Sequence, residues 1–164
     1  MDRLYLLPLL GLFATMLTLA TVTSDDVTVT ADVSGYITVT FNYDTVAFGS
    51  VAAGSTQNAA PGNSDGAYNV TVDANANYKV EAYGTDFSDG ANTFSISNLK
   101  LDTGSDYTTL SYSSATSLST TSQVIETNIP YSVTTHYHAY WLDVPSGQPA
   151  GSYSSTVTIT YSLV

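Results

Sequence analysis

The segment Asp102-Thr103-Gly104-Ser105 has the residue order of an aspartic protease active-site triplet. That chemistry needs two carboxylates sharing one proton, one acting as base while the other donates. The chain holds a single Asp-Thr-Gly, so the second carboxylate would have to come from a homodimer. Asp, Thr and Gly are also ordinary turn residues. Read as turn-forming, Asp102 catalyses nothing, and the aspartic protease is kept as a remote alternative. His136 and His138 are two apart in an alternating stretch, so both project from one face of a strand. Two imidazoles so placed supply half of a metal site, and no third ligand stands with them. Tyr137, Ala139 and Trp141 make the more apolar face, which assigns that face to the core and turns both histidines toward solvent or a neighbour. The expectation is no metal at this pair. Asp86 and Asp89 before Gly90, with Asp102 and Asp106, are loop carboxylates of the kind calcium prefers, although their spacing is not that of an EF-hand. Calcium is the one cofactor these acids leave open, with turn formation as the default. Asn69-Val70-Thr71 is the one N-glycosylation sequon, placed on a strand with Asn69 facing out. No phosphate-binding loop and no zinc-binding His motif occurs.

These residues must be positioned by a short, acidic, cysteine-free chain. It has 164 residues, a formal net charge of −11 and three Lys plus Arg in all. Lys79 and Lys100 cannot form a basic patch, which excludes nucleic acid as a partner and disfavours anionic membrane surfaces. Residues 1–24 begin with Arg3 and an apolar run over 4–22, closed by small residues and two aspartates. That order predicts a removed secretory signal peptide, cut after Ser24 or, as a rival, after Ala20. A retained anchor is the alternative, since the run is long enough to span a bilayer. The expected product is secreted, at the cell surface, and free of the membrane. Exported proteins of this size often rely on disulfides, and there is no cysteine here. Subunit association or bound ions would have to stabilise it instead.

Beyond the leader the pattern is period two, not 3.6. Val27, Val29, Ala31 and Val33 alternate with polar residues, and Ser34-Gly35 breaks the run. Ile37, Val39, Phe41 and Tyr43 share one face. Residues 54–66 read as a long loop; Tyr68, Val70 and Val72, then Tyr78, Val80 and Ala82, define two strands. Phe94 and Ile96 mark another, with Leu99 and Leu101 after a bulge. Residues 102–122 read as a loop with one short strand near Leu110 and Tyr112. Val124 and Ile125 start a strand stopped by Pro130; Tyr131 to Trp141 make a long one; Tyr153, Val157, Ile159, Tyr161 and Leu163 share a face of the last. The fold expected is all-β, an antiparallel β-sandwich of jelly-roll or Ig-like type over 36–164, preceded by an N-terminal donor strand and hinge over 25–35. Phe41, Trp141, Tyr153, Val157 and Ile159 are its expected core.

The layout carries a family resemblance. Val46-Ala47-Phe48-Gly49-Ser50-Val51 resembles the Phe-Gly element that follows the first strands of spore-coat-U-like pilins. Pro149-Ala150-Gly151-Ser152-Tyr153, leading into the strand at 156–161, resembles their closing strand. Those bacterial subunits usually carry cysteines; the cysteine-free, Thr- and Tyr-rich chain is similar to archaeal pilus subunits of the bundling type. The resemblance implies a structural filament subunit that polymerises head to tail with identical copies. Val27, Val29, Ala31 and Val33 would leave their own domain and complete the sandwich of the next subunit. Glycans are a further partner class through Asn69. A monomeric adhesin or surface-layer-associated domain is the alternative, and it needs the same N-terminal segment paired within its own sandwich.

Overall fold

A computed structural model describes residues 28–164. The leader and Val27 lie outside the described residues. The chain divides into two units, Met1–Asp32 and Val33–Val164, and every described strand belongs to the second. The strands are β1 (Ile37–Phe41), β2 (Asn58–Ala59), β3 (Asn69–Ala74), β4 (Tyr78–Gly84), β5 (Phe87–Ser88) and β6 (Thr93–Phe94). They continue as β7 (Leu99–Gly104), β8 (Thr116–Ser117), β9 (Gln123–Ile129), β10 (Thr135–Leu142) and β11 (Val157–Leu163). One sheet has the order β1-β3-β10-β7-β8, with β2 also on β10; the second has the order β11-β4-β9; β5 and β6 pair with each other. All pairings are antiparallel. The two larger sheets face each other as a sandwich.

The alternation that defines the strands also builds the core. In β3, Val70 and Val72 are buried while Thr71 and Asp73 are exposed. In β4, Tyr78, Val80 and Ala82 are buried from the opposite sheet. The register pairs Val39 with Val72 and Phe41 with Val70, so β1 lays its apolar face over the same cluster. A second cluster, around Leu99, Leu101, Tyr140 and Leu142, fills the other end of the sandwich.

Several expected elements differ. Residues 28–36 form no strand, and Val29 and Val33 are 86% and 84% exposed. The long strand expected from Tyr131 starts only at Thr135, because Pro130 opens a turn closed by Val133 N–H on its carbonyl (3.0 Å). Ile96 lies in a 3-10 turn, Ile96–Asn98, between β6 and β7. The loop after β7 carries a 3-10 turn at Tyr107–Thr109 and the short β8, with no strand at Leu110. Tyr153 precedes β11 in a single bridge region where Ser154 pairs with Ser88.

The two faces of β10 are the main correction. His136 and His138 are 0% and 1% exposed, and they point into the space between the sheets. His138 reaches Tyr161 of β11, and His136 packs on Tyr78 of β4. Tyr137, Ala139 and Trp141 occupy the outer face. They are covered by the loop after β7, with Tyr107 against Tyr137 and Tyr112 edge-on to Trp141. Both faces of β10 are therefore buried over its second half. Trp141 is only 8% exposed, but under a loop and not between the sheets. Trp141→Ala is expected to cost about 3 kcal/mol, the lower end for a buried Trp, because a covering loop relaxes more easily than a sheet. Chemical denaturation checks this; an unchanged midpoint would mean the loop does not pack.

Candidate functional site

The chemically suggestive residues come apart when placed. Asp102 sits within β7, opposite Ala139, at the end of a strand and not in a turn. Its Oδ2 accepts from Ser111 N–H (3.0 Å) and Ser114 Oγ (2.6 Å), which folds the following loop back onto the strand. Thr103 donates to Glu126 Oε2 at 2.8 Å. Asp102→Asn keeps one acceptor oxygen and is expected to destabilise by about 1–2 kcal/mol through the weakened loop contacts. A melting curve reads this. A peptidase activity lost in this variant would contradict the structural role.

Each of the loop acids holds its own backbone. Asp89 accepts from Ala91 N–H, Asn92 N–H and the Asn92 side chain, which together hold its carboxyl down at about 2. Asp106 caps the 3-10 turn through Thr108 N–H and Oγ1, and these bonds lower its pKa. Asp86 accepts from Ile96 N–H at 2.9 Å. Among the described residues no three His, Asp or Glu side chains converge to hold a metal ion. Asn69 is half-buried; its Nδ2 donates to Gly66 O (2.8 Å) and its Oδ1 accepts from Asn42 (2.7 Å). The nitrogen a glycan would need is thus engaged in the folded strand. Gly62-Asn63-Ser64-Asp65-Gly66 also has the Gly-x-Ser-x-Gly spacing of a nucleophile elbow, which the motif reading above does not single out. Here Ser64 is exposed, donates to Pro61 O (3.1 Å) and follows a 3-10 turn. Gly66 has φ +69°, and a Cβ there would strike the rings of Tyr107 and Tyr137. These glycines serve a turn.

The buried polar cluster is the feature least visible in the sequence. His138 Nδ1 bonds the Tyr43 hydroxyl, and its Nε2 lies 2.7 Å from the Tyr161 hydroxyl. Tyr43 and Tyr140 hydroxyls meet at 2.6 Å. A neutral imidazole, with one donor and one acceptor nitrogen, satisfies both tyrosines. Burial first, and then the neighbouring His136, push the His138 pKa down to about 3. Burial raises Tyr43, Tyr140 and Tyr161, so the cluster stays uncharged. His136 Nε2 lies 3.1 Å from Glu126 Oε2, near enough for an ion pair but not aligned as a hydrogen bond; its Nδ1 meets no described partner. The cluster joins β10 to β11 and to the segment after β1. It acts as a polar rivet between the layers, and its Tyr43 and Tyr140 also line the cleft beside it.

A large concavity lies beside it. A cleft of about 1180 Å³ runs between β11 and the irregular segment after β1. Its walls include Phe41, Val46, Phe48, Tyr153, Val157 and Ile159, and its floor reaches the core residues Tyr140 and Leu142. Phe41 is 40% exposed, and Tyr153, Val157 and Ile159 are half-buried. No protein-family model matches the chain, and no curated protein matches it. Function must therefore be argued from this geometry. Four of the five residues that alternation assigns to the core are incompletely covered, and all four line this cleft. The sandwich is open along one seam, where β11 has β4 on one side and no described strand on the other.

Proposed function

We propose that this chain is the structural subunit of an extracellular filament. It polymerises head to tail by donor-strand complementation, with the arm at 25–33 of one copy filling the cleft of the next. The open seam carries this reading, because a cleft floored by core side chains beside an unpaired edge is what a missing strand leaves. Main-chain bonds to the edge would give affinity, and alternate side chains in the cleft would give register. Val27, Val29, Ala31 and Val33 offer four small apolar side chains at that spacing, and the described ones are exposed in their own subunit. Burying each valine contributes roughly 1.5–3 kcal/mol, less the cost of ordering the arm.

The ends of the domain favour propagation over closure into a pair. Gly35 lies against Leu163, and Tyr36 N–H bonds Asn75 beyond the end of β3. Gly35, at the foot of the arm, thus lies at the C-terminal end of β11. The cleft follows the N-terminal half of β11, at Val157 to Ile159. An arm at one end and a receptor toward the other make a heterologous contact, which generates open fibres when the rotation does not close. The resemblance to cysteine-free archaeal pilins supports the same reading, and places the product at the cell surface after loss of 1–24, with identical subunits as its partners. The chain carries no catalysis in this account and needs no cofactor. Negative-stain microscopy and sedimentation of the mature chain and of a variant lacking 25–33 test it. Fibres from the first and monomers from the second are expected; fibres from both would remove the arm from the mechanism.

A further inference from the structure

We infer that the cleft is a two-edged slot, in which the incoming arm pairs on one side with β11 and on the other with residues 45–51, which become a strand on docking. This rests on the filament reading and deepens it by naming a second wall with its own backbone ladder.

The first edge follows from the pairing of β11 with β4. Thr85 N–H bonds Thr156 O at 2.9 Å, and Val164 N–H bonds Asn77 O at 3.0 Å. Hydrogen bonding alternates sides along an antiparallel strand. Even-numbered residues therefore address β4, while Val157 and Ile159 turn their N–H and C=O groups toward the cleft. The second edge is the segment opposite. Val46 and Phe48 are half-buried against the core, while Thr45, Ala47 and Gly49 are exposed. That is the burial alternation of a strand over 45–48; Gly49, at φ +68°, interrupts it and shifts Val51 out of phase, so the backbone there must change on docking. Yet from Tyr43 to Val51 no backbone N–H or C=O bonds another described backbone group. Side chains already anchored at strand spacing, with the main chain unpaired, describe a strand that lacks its neighbour. Backbone N–H and C=O groups without a protein partner need another one, and a docked strand would supply it.

The slot constrains its occupant more than a single edge does. An arm between two ladders must offer N–H groups on both sides along its whole length, so proline is excluded at every docked position. The arm from 25 to 33 contains none. It is the second copy's arm that is proposed here, not a foreign peptide.

Hydrogen exchange read by mass spectrometry tests this on the full mature chain, before and after assembly, with synthetic 25–33 peptide in excess as the second arm. Amides at 45–51 and at 157–163 are both expected to slow, by roughly 100-fold or more, as they enter ladders. Slowing at 157–163 alone would overturn the two-edged slot while leaving docking on β11 intact. Slowing at neither, with or without fibres, would overturn the slot and the donor-strand reading together.

Discussion

The Val29→Asp variant is expected to stay monomeric at concentrations where the parent chain assembles. Val29 is the second of the four small apolar residues in the arm, so it should enter the middle of the cleft. The lining there is Phe48, Leu142, Val157 and Ile159, with Lys79 and Lys100 absent from it. A carboxylate would be stripped of water without a partner, and it would take up a proton or fail to dock. A penalty of about 4 kcal/mol lowers affinity roughly a thousandfold. The folded domain is untouched, because Val29 is 86% exposed in its own subunit. Sedimentation reads assembly and circular dichroism reads folding. Normal fibres from Val29→Asp would mean that the arm docks elsewhere or not at all. Val29→Ile, keeping the shape class, should assemble.

The second large effect is on acid stability. His138 has a folded pKa of about 3 against an ordinary value of 6.5. Between those values the unfolded chain binds a proton that the folded chain refuses. Stability is therefore full above about pH 6.5 and declines as pH falls toward 3. The whole loss is on the order of 5 kcal/mol for this residue, with a slope near 1.4 kcal/mol per pH unit. The ring is enclosed by Tyr43, Tyr161, Tyr140, Phe41 and His136, none of which offers it a carboxylate. His138→Phe keeps an aromatic ring between the sheets but cannot titrate. It should be less stable than the parent at pH 7, having orphaned the Tyr161 hydroxyl and left Tyr43 with Tyr140 alone, and should lose stability more gently between pH 6 and 4. Denaturant titrations across that range compare the two slopes; equal slopes would show that His138 is not the proton-refusing group.

Alternation reported the strands well and their faces badly. Val70, Val72, Tyr78 and Val80 were legible as core because their neighbours are Thr, Asp, Lys and Glu, so only one face could be buried. β10 gives no such contrast. Its two faces read His, His, Tyr, Leu and Tyr, Ala, Trp, and both are buried. Polarity pointed both histidines outward, whereas the hydroxyls of Tyr43 and Tyr161 satisfy His138 inside. His136 has only Glu126 nearby and packs on Tyr78. The signal that would have placed them is the tyrosine at matching positions of the facing strands, Tyr78 of β4 and Tyr161 of β11. The Asp-Thr-Gly resembled a site because strand ends and turns share its residues. Phe41, Tyr153, Val157 and Ile159 were assigned to the core, and they are only partly covered, along the cleft. Sequence patterning records which face is apolar, and it is silent on how completely that face is covered.

A reconstruction of the assembled fibre at side-chain resolution tests the central claim most directly. The account predicts continuous density in each cleft, between β11 and residues 45–51, for an extended segment connected to Gly35 of a neighbouring subunit, with Val29 and Ala31, two apart on one strand face, both pointing into the cleft. A cleft left empty in the fibre, or filled by the arm of the same subunit, would contradict it.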